Sequence, residues 1–303
     1  MPGIHSLPDA LWSVLACPHC GDSLKREEQA ARCAGCGAVY SKASAGPLDL
    51  RLSRMKKAAF EFEMPFPPLE EAGALIRPLT LKPNPEVDFA GVPVPHHLSA
   101  EMLSHFPKAK GKEALALDLG CGDAIHRSVC EQAGFVYAGL DYCDERAPLL
   151  GDAHALPFCE NSFEFVLSIA VLEHIRFPFL MMRETHRILK PGGLFIGTVS
   201  FLEPYHAFSF YHHTHYGVYN SLTMGGFKVQ WIAPSLQWTG LAAQAKMSLF
   251  PKFPAALSRT MILPVEWISQ CWWRIGRLYS PNLNEESRKL HNTGAFTFIA
   301  KKE

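Results

Sequence analysis

ALALDLGCGDAIHR, residues 114–127, is the stretch whose reading decides the fold. An apolar run ends in Asp118. Gly120 and Gly122 follow, one residue apart, and then a polar turn. The run Ala114 to Leu119 reads as a short buried strand, and Asp123 onward reads as a helix start. Strand, glycine turn and helix is how an α/β domain receives a nucleotide. The dinucleotide fingerprint also needs a small residue three positions after the second glycine, so that helix and strand pack closely beneath a pyrophosphate. That position is Ile125, bulky and β-branched, so the fingerprint fails. The phosphate-loop pattern fails as well, because no Gly-Lys-Ser/Thr follows.

The acid at Asp118 argues against a phosphate ligand and suits a cationic group. S-Adenosylmethionine has a sulfonium, an ammonium and no phosphate. A tight turn with no ligand is the plain alternative, and the rest of the chain decides between them.

The chain has 303 residues and a formal net charge of zero. That length allows one sizeable core plus a small satellite domain. The balanced charge gives no support to broad nucleic-acid binding, which usually shows a basic surplus. MPGIHSLPDALW lacks the charged and apolar regions of a signal peptide. No stretch approaches the ~18 uninterrupted apolar residues of a spanning helix. A cytoplasmic protein is the expectation.

Four of the nine cysteines form CPHC (Cys17, Cys20) and CAGC (Cys33, Cys36), with twelve residues between the pairs. Without a secretory signal, paired C-x-x-C units favour metal over disulfides. Each pair is followed by glycine, Gly21 and Gly37, which permits the tight turn of a zinc knuckle. Four thiolates close a tetrahedral site with no open position, which predicts structural zinc in a ribbon over residues 1–50.

Residues 51–110 read as a proline-rich linker or cap. MPFPPLEE, KPNPEV and GVPVPHHL will not hold long helices. HHLSAEMLSHF places Leu98, Met102 and Phe106 on one face of a short helix. Residues 111–303 read as one α/β domain. GFVYAGLD is a second strand ending in Asp141, which lies 23 positions beyond Asp118. An acid there is placed to accept ribose hydroxyls. Asp152 follows only eleven positions later, so the third strand, around PLLGDA, must be short. SFEFVLSIA is a fourth strand, Phe179 to Leu189 a helix, LKPGG its stop signal and LFIGTVS a fifth strand. GFKVQWIA and GAFTFIAKK are the last two strands, with a helical insertion at 241–290 between them.

LDLGCGD, GLD, GDAHALPFCENSFEFVLSIAVLEHI and RILKPGGLFIGTV, in that order, resemble the class I S-adenosylmethionine-dependent methyltransferases of the type 11-like kind. The resemblance covers most of residues 114–200. It implies a Rossmann-like seven-stranded, mostly parallel methyltransferase sheet ending in an antiparallel hairpin. It implies the cofactor S-adenosylmethionine at the carboxyl ends of the strands. It gives Asp118 and the backbone of Gly120, Cys121 and Gly122 the methionine part, Asp141 the ribose and Tyr142 the adenine face. Asp152 takes the adenine amino group, the Ala153 amide a ring nitrogen, and Ser168 lies near the methionine end. The sequence departs from the family at Asp123-Ala124, where many members have another glycine. The N-terminal module resembles small zinc ribbons found with some RNA and translation-factor methyltransferases. Lys25, Arg26 and Arg32 are either a phosphate-binding group or a solvated face.

In this fold the loop after the fifth strand faces the transferred methyl. SFLEPYHAFSFYHHTHYG holds Glu203, Tyr205, His206, Tyr211, His212, His213 and His215. Histidine is a suitable base near neutral pH. His206 is the first candidate general base, because Pro204 helps fix it, and His213 the second. An imidazole-lined wall with no proton transfer is the alternative. A metal site on His212, His213 and His215 does not have the spacing of a known closed site. His174 in VLEHI lies near the methyl or starts a helix. In LPVEWISQCWWRIGRLY, Val265, Ile268, Trp272, Ile275 and Tyr279 recur at helical spacing, with Arg274 and Arg277 off the stripe. It reads first as a lid or dimer face packed on the domain, and second as an interfacial helix, at 264–279, touching a membrane or lipid-like substrate. The implied activity is methyl transfer to an unidentified small or lipid-like acceptor. An RNA acceptor held by the ribbon and a non-catalytic binding partner are the alternatives.

Overall fold

The structure is a computed structural model that describes residues 7–44, 46–59, 86–235 and 237–303. MPFPPLEE and most of KPNPEV fall within 60–85, outside the described residues. In the N-terminal module, helix α1 (Asp9–Trp12) precedes a three-stranded antiparallel sheet of β1 (Leu24–Arg26), β2 (Ala30–Cys33) and β3 (Val39–Ser41). Strand β4 (Leu48–Asp49) then leaves the ribbon.

The larger unit runs α2 (Ala100–Leu103), β5 (Leu115–Leu119), α3 (Arg127–Gln132), β6 (Val136–Asp141), β7 (Leu149–Leu150) and β8 (Phe163–Ile169). It continues with α4 (Pro178–Ile188), β9 (Leu189–Ser200), α5 (His215–Met224), β10 (Lys228–Pro234), α6 (Gly240–Gln244), α7 (Ala255–Gly276), α8 (Glu285–Asn292) and β11 (Ala295–Lys301). The sheet order is β10-β11-β9-β8-β5-β6-β7-β4. All neighbours are parallel except β11, which is antiparallel to both β9 and β10. Seven of these strands make the Rossmann-like sheet. The eighth, β4, is lent by the N-terminal module and pairs with β7 through Leu48 and Asp49.

Every residue of β5 is buried, as befits a central strand covered on both faces. Alternate strand residues feed two cores. Leu117, Leu140, Val166, Phe195 and Phe298 face one layer with α4, joined by Leu11, Leu15 and Leu50 of the N-terminal module. Ala116, Phe165, Ile196 and Ile299 face the other with Val129. Leu98, Met102 and Phe106 are buried in that second core, so packing onto the sheet begins before residue 111. Ser99 starts α2 by accepting the Met102 N–H at 3.1 Å.

Three local expectations are corrected. Helix α3 starts at Arg127, not Asp123, because Ala124 adopts a left-handed φ of +64° that interrupts any earlier helix. LKPGG does not separate helix from strand. Strand β9 begins at Leu189, and the Pro-Gly-Gly step is absorbed where the β8–β9 register jumps from Phe163↔Leu189 to Phe165↔Leu194. Helix α7 does not start after Pro264 but carries it inside, nine residues beyond Ala255. Its packed face holds Ser258 and Ile262, whereas Val265, Ile268, Trp272, Ile275 and Tyr279 are all exposed. The apolar stripe is therefore not packed on the domain.

Candidate cofactor and acceptor site

Strand β5 delivers Gly120 and Gly122 to the carboxyl edge of the sheet. Gly120 has φ +77°, and a Cβ there would lie 2.3 Å from Val171 Cγ2, so only glycine fits without a shift. The amides of this turn are already engaged. Gly120 and Cys121 N–H both donate to the Leu140 carbonyl, at 2.8 and 3.2 Å. Gly122 N–H donates to Asp141 Oδ2 at 3.0 Å. The other oxygen, Oδ1, accepts Cys143 and Asp144 N–H, each at 2.9 Å. A carboxylate has about four acceptor positions. Three are filled by backbone, which pins the acid at the end of β6 and leaves about one for a further donor.

Asp118 does not reach the cleft. It is fully buried beneath the turn, where Tyr137 Oη donates to Oδ2 at 2.8 Å and His126 Nδ1 lies 3.2 Å away. Burial, then the Asp118 charge, pushes the Tyr137 phenol far above its usual range, so it stays a donor. Asp118 thus supports the turn from beneath. Its partner His126 went unnoticed in the sequence, although it is the last residue but one of the quoted stretch. His97 stands beside it, with ring centroids 6.3 Å apart, and burial followed by the nearby His96 charge lowers His97 to about 4.

Tyr142 is exposed, with Arg51 Nη1 on its carbonyl at 3.1 Å and the guanidinium 5.9 Å from its ring centroid. Arg51 comes from the end of the N-terminal module. Tyr40, Asp49, Arg51, Ser53 and Tyr142 line a cleft of about 520 Å³ there. Gly151 N–H donates to the Asp141 carbonyl at 2.9 Å and so sets Asp152 beside the end of β6. Burial opposes charge on Asp152, but the His154 ring at 2.6 Å and the His154 N–H hold its carboxyl below the usual range. Ala153 is buried next to it. Ser168 is buried within β8 opposite Gly197.

The acceptor end lies where β8 and β9 finish. Ala170 carries a φ of +54° there, and Ala207 and Phe208 are left-handed in succession, at +38° and +60°. Such strain outside glycine concentrates at functional loops. Ser200 Oγ, at the end of β9, lies 2.6 Å from Glu173 Oε1 and 2.8 Å from Glu203 Oε2. Burial, with Glu203 adding to it, raises the Glu173 carboxyl above its usual value. Glu203 Oε1 accepts the Trp238 indole N–H at 2.6 Å. His206 Nδ1 bonds the Pro204 carbonyl at 2.9 Å, and the His174 ring is 5.3 Å from that of His206. His213 is 8% exposed, its Nε2 has no partner among the described residues, and burial pushes its pKa down to about 4. The structure brings His206 to Glu173 and His174, and His213 stands nearby, its backbone N–H donating to the Ser200 carbonyl at 2.9 Å. Glu173 was missed by sequence reasoning; its signal was the acid preceding His174.

In the ribbon, Cys17 Sγ and Cys36 Sγ are 3.7 Å apart, and Cys20 Sγ and Cys33 Sγ 3.3 Å. Four sulfurs around zinc at ~2.3 Å stand about 3.8 Å apart, so the quartet fits the ion. Tyr40 Oη, 3.1 Å from Cys17 Sγ, and Cys36 N–H, 3.4 Å from Cys33 Sγ, supply the outer hydrogen bonds that thiolate ligands need.

Known proteins resemble the segment that carries this turn and its neighbouring strands. Residues 117–197 match the family of methyltransferase domains. A protein of Encephalitozoon cuniculi described as a methyltransferase is 37% identical over 95 residues, covering 27% of this chain and 43% of its own. The ubiquinone biosynthesis O-methyltransferase of Ruegeria pomeroyi is 30% identical over 93 residues, covering 26% and 38%. The chain spans less than half the length of these relatives. A complex of the Haloferax volcanii Trm112 methyltransferase activator with a methyltransferase superposes with TM-score 0.45 at 19% identity, over 68% of this chain and 88% of that one. In this chain residues 117–197 match a methyltransferase domain, with a cysteine-rich module ahead of them.

Proposed function

We propose that this chain transfers the methyl group of S-adenosylmethionine to a lipid-like acceptor. The observation that carries the cofactor is the hydrogen-bond account of the glycine turn. A dinucleotide needs turn amides free for its pyrophosphate. Here Gly120, Cys121 and Gly122 N–H are spent on Leu140 and Asp141. A ligand without phosphate meets no unmet demand at that point. Asp141 then takes the ribose, Tyr142 the adenine face, and Asp152 with the Ala153 amide the adenine edge. Asp118 and Ser168 act from beneath, by fixing the ends of β5 and β8.

Methyl transfer is an in-line displacement, so alignment is the protein's main task. A base is needed only if the acceptor must lose a proton. Of the two candidate bases, His213 is the one kept as neutral imidazole, with an unpaired Nε2. A base with a folded pKa of about 4 is available at every pH above about 5 and is lost below it. The single-turnover rate of wild type is therefore expected to be flat from pH 6 to 8 and to fall below pH 5. His213→Ala is expected to lose roughly 10²- to 10⁴-fold, and His206→Ala less. An unchanged rate and profile in His213→Ala would show that the acceptor needs no proton removed there.

The lipid-like acceptor is favoured by helix α7. Leu257, Met261, Val265, Ile268, Trp272 and Ile275 share one exposed side of the helix, with Trp272 at 69% exposure, and Trp267 and, past the helix end, Tyr279 are exposed as well. Monomeric soluble proteins rarely leave that much apolar surface uncovered. Arg259, Arg274 and Arg277 flank it, and tryptophan with arginine beside an apolar face is the composition of an interfacial helix. The helix is tied to the acceptor end, since Glu266 Oε1 accepts Thr239 Oγ1–H at 3.0 Å, one residue from Trp238, the Glu203 partner. No helix among the described residues is long and apolar enough to cross a membrane, so contact is peripheral and a cytoplasmic address is part of the proposal. The RNA alternative loses support, because Arg26 pairs with Asp9 at 3.7 Å and Arg32 with Glu27 at 2.7 Å.

Wild type is expected to co-float with phosphatidylglycerol vesicles and less with phosphatidylcholine. Each fully buried large apolar side chain contributes about 1.5–3 kcal/mol. A Trp267→Ser, Trp272→Ser double variant is thus expected to bind at least tenfold more weakly. No vesicle binding, together with a concentration-dependent dimer that the same double variant disrupts, would make this face a subunit interface instead.

A further inference from the structure

Two carboxylates, Glu173 and Glu203, converge on one hydroxyl. Ser200 has a single proton, yet its Oγ lies within 2.8 Å of an oxygen of each. Two acids this close to one hydroxyl are stabilised by a shared proton or by a cation beside them. Glu173 Oε2 is fully buried and has no hydrogen-bond partner among the described residues. His174 Nδ1, on the next residue, is buried and also without a partner. Each would cost free energy if it stayed unmet, because a buried polar atom without a partner keeps its whole desolvation penalty.

His206 completes the group. The Pro204 carbonyl, 2.9 Å from Nδ1, can only accept, so Nδ1 carries the proton and Nε2 presents its lone pair. A carbonyl on one ring nitrogen fixing the other as ligand is the usual support of a metal-bound histidine. One ligand atom each from Glu173, His174 and His206 lie within 4.8 Å of one another. The left-handed pair Ala207-Phe208 follows directly and holds the loop that brings His206 back over Leu172–His174.

We propose that Glu173, His174 and His206 bind a first-row divalent cation at the acceptor end of the site. Two imidazoles and one carboxylate suit zinc, manganese or iron rather than calcium or magnesium. Three protein ligands leave positions open, unlike the closed four-cysteine site of the ribbon. An open cation beside the transferred methyl can hold and polarise an acceptor oxygen. That consequence rests on the methyl-transfer reading above; the binding of the ion does not. His206 then serves as a ligand, which leaves proton removal to His213.

The test uses full-length protein whose ribbon has been filled with zinc and the excess removed. Zinc is added again, and bound metal is measured by calorimetry and by elemental analysis after gel filtration. Wild type is expected to take up one further equivalent. Glu173→Gln and His206→Ala are each expected to lose that equivalent, keep the ribbon zinc, and bind S-adenosylmethionine as wild type does. Glutamine keeps the shape of the buried acid, and His206 is partly exposed, so both variants test binding rather than folding. No further equivalent in wild type, or its persistence in either variant, would overturn the proposal. Loss of S-adenosylmethionine binding by wild type would instead strike the methyl-transfer reading.

Discussion

Replacing Asp141 by alanine is expected to weaken S-adenosylmethionine binding by about 10- to 150-fold in a protein that still folds. A hydrogen bond to a charged acceptor contributes about 1.5–3 kcal/mol, and each 1.4 kcal/mol is tenfold in affinity. One ribose bond to the remaining acceptor position gives that range by itself. The true loss should lie toward its upper end. The same substitution frees Gly122, Cys143 and Asp144 N–H, which Asp141 now orders. These amides sit at the surface end of β6, where water can replace the carboxylate, so the sheet itself should persist. Calorimetry on the variant, with thermal unfolding as the control for folding, measures the effect. Unchanged affinity would remove Asp141 from the ribose role.

Replacing Cys33 by serine is expected to abolish the zinc that survives dialysis and to unfold the ribbon. Cys33 is buried and ends β2. The module has little core of its own, and structural zinc in such modules supplies about 10–16 kcal/mol of apparent binding energy that is also folding energy. The effect should reach beyond the ribbon. Strand β4 edges the main sheet, Ala16 N–H donates to the Pro157 carbonyl at 2.9 Å, and Leu11 and Leu15 lie in the shared core. A fall in the melting temperature of the whole chain is expected, with each kcal/mol worth about 2–4 °C in a domain of this size. Retained zinc and an unshifted transition would show that the four thiols are not a metal site.

The order of strands was legible because each carries its own signal. The apolar run before Gly120, the acid closing β6 and the alternating β8 segment are local patterns, and the parallel sheet follows from strand–helix alternation. The eighth strand was not legible. Leu48 and Asp49 have no periodicity, and only their partner Leu149-Leu150 makes them a strand. The start of α3 was misplaced because Ala124 is left-handed in a stretch whose composition allows helix. The same limit applies at the site. The family resemblance pointed to Asp118, Asp141 and Asp152 alike. Only the fold separates a carboxylate buried against Tyr137 and His126 from one pinned at a strand end. Glu173 and His206 are 33 positions apart, and no sequence pattern joins them. Helix α7 shows the converse. Its apolar stripe was plain in sequence, but whether it met the domain or faced outward depended on Ser258 and Ile262 taking the packed side.

Calorimetric titration of the wild-type protein with S-adenosylmethionine, and separately with NAD, tests the central claim most directly. The Gly120, Cys121 and Gly122 amides are engaged within the protein, and Asp141 keeps one acceptor position for a ribose. Saturable binding of one S-adenosylmethionine per chain, with no heat from NAD at the same concentrations, is the expected result. Absence of S-adenosylmethionine binding, or tight binding of NAD, would contradict it.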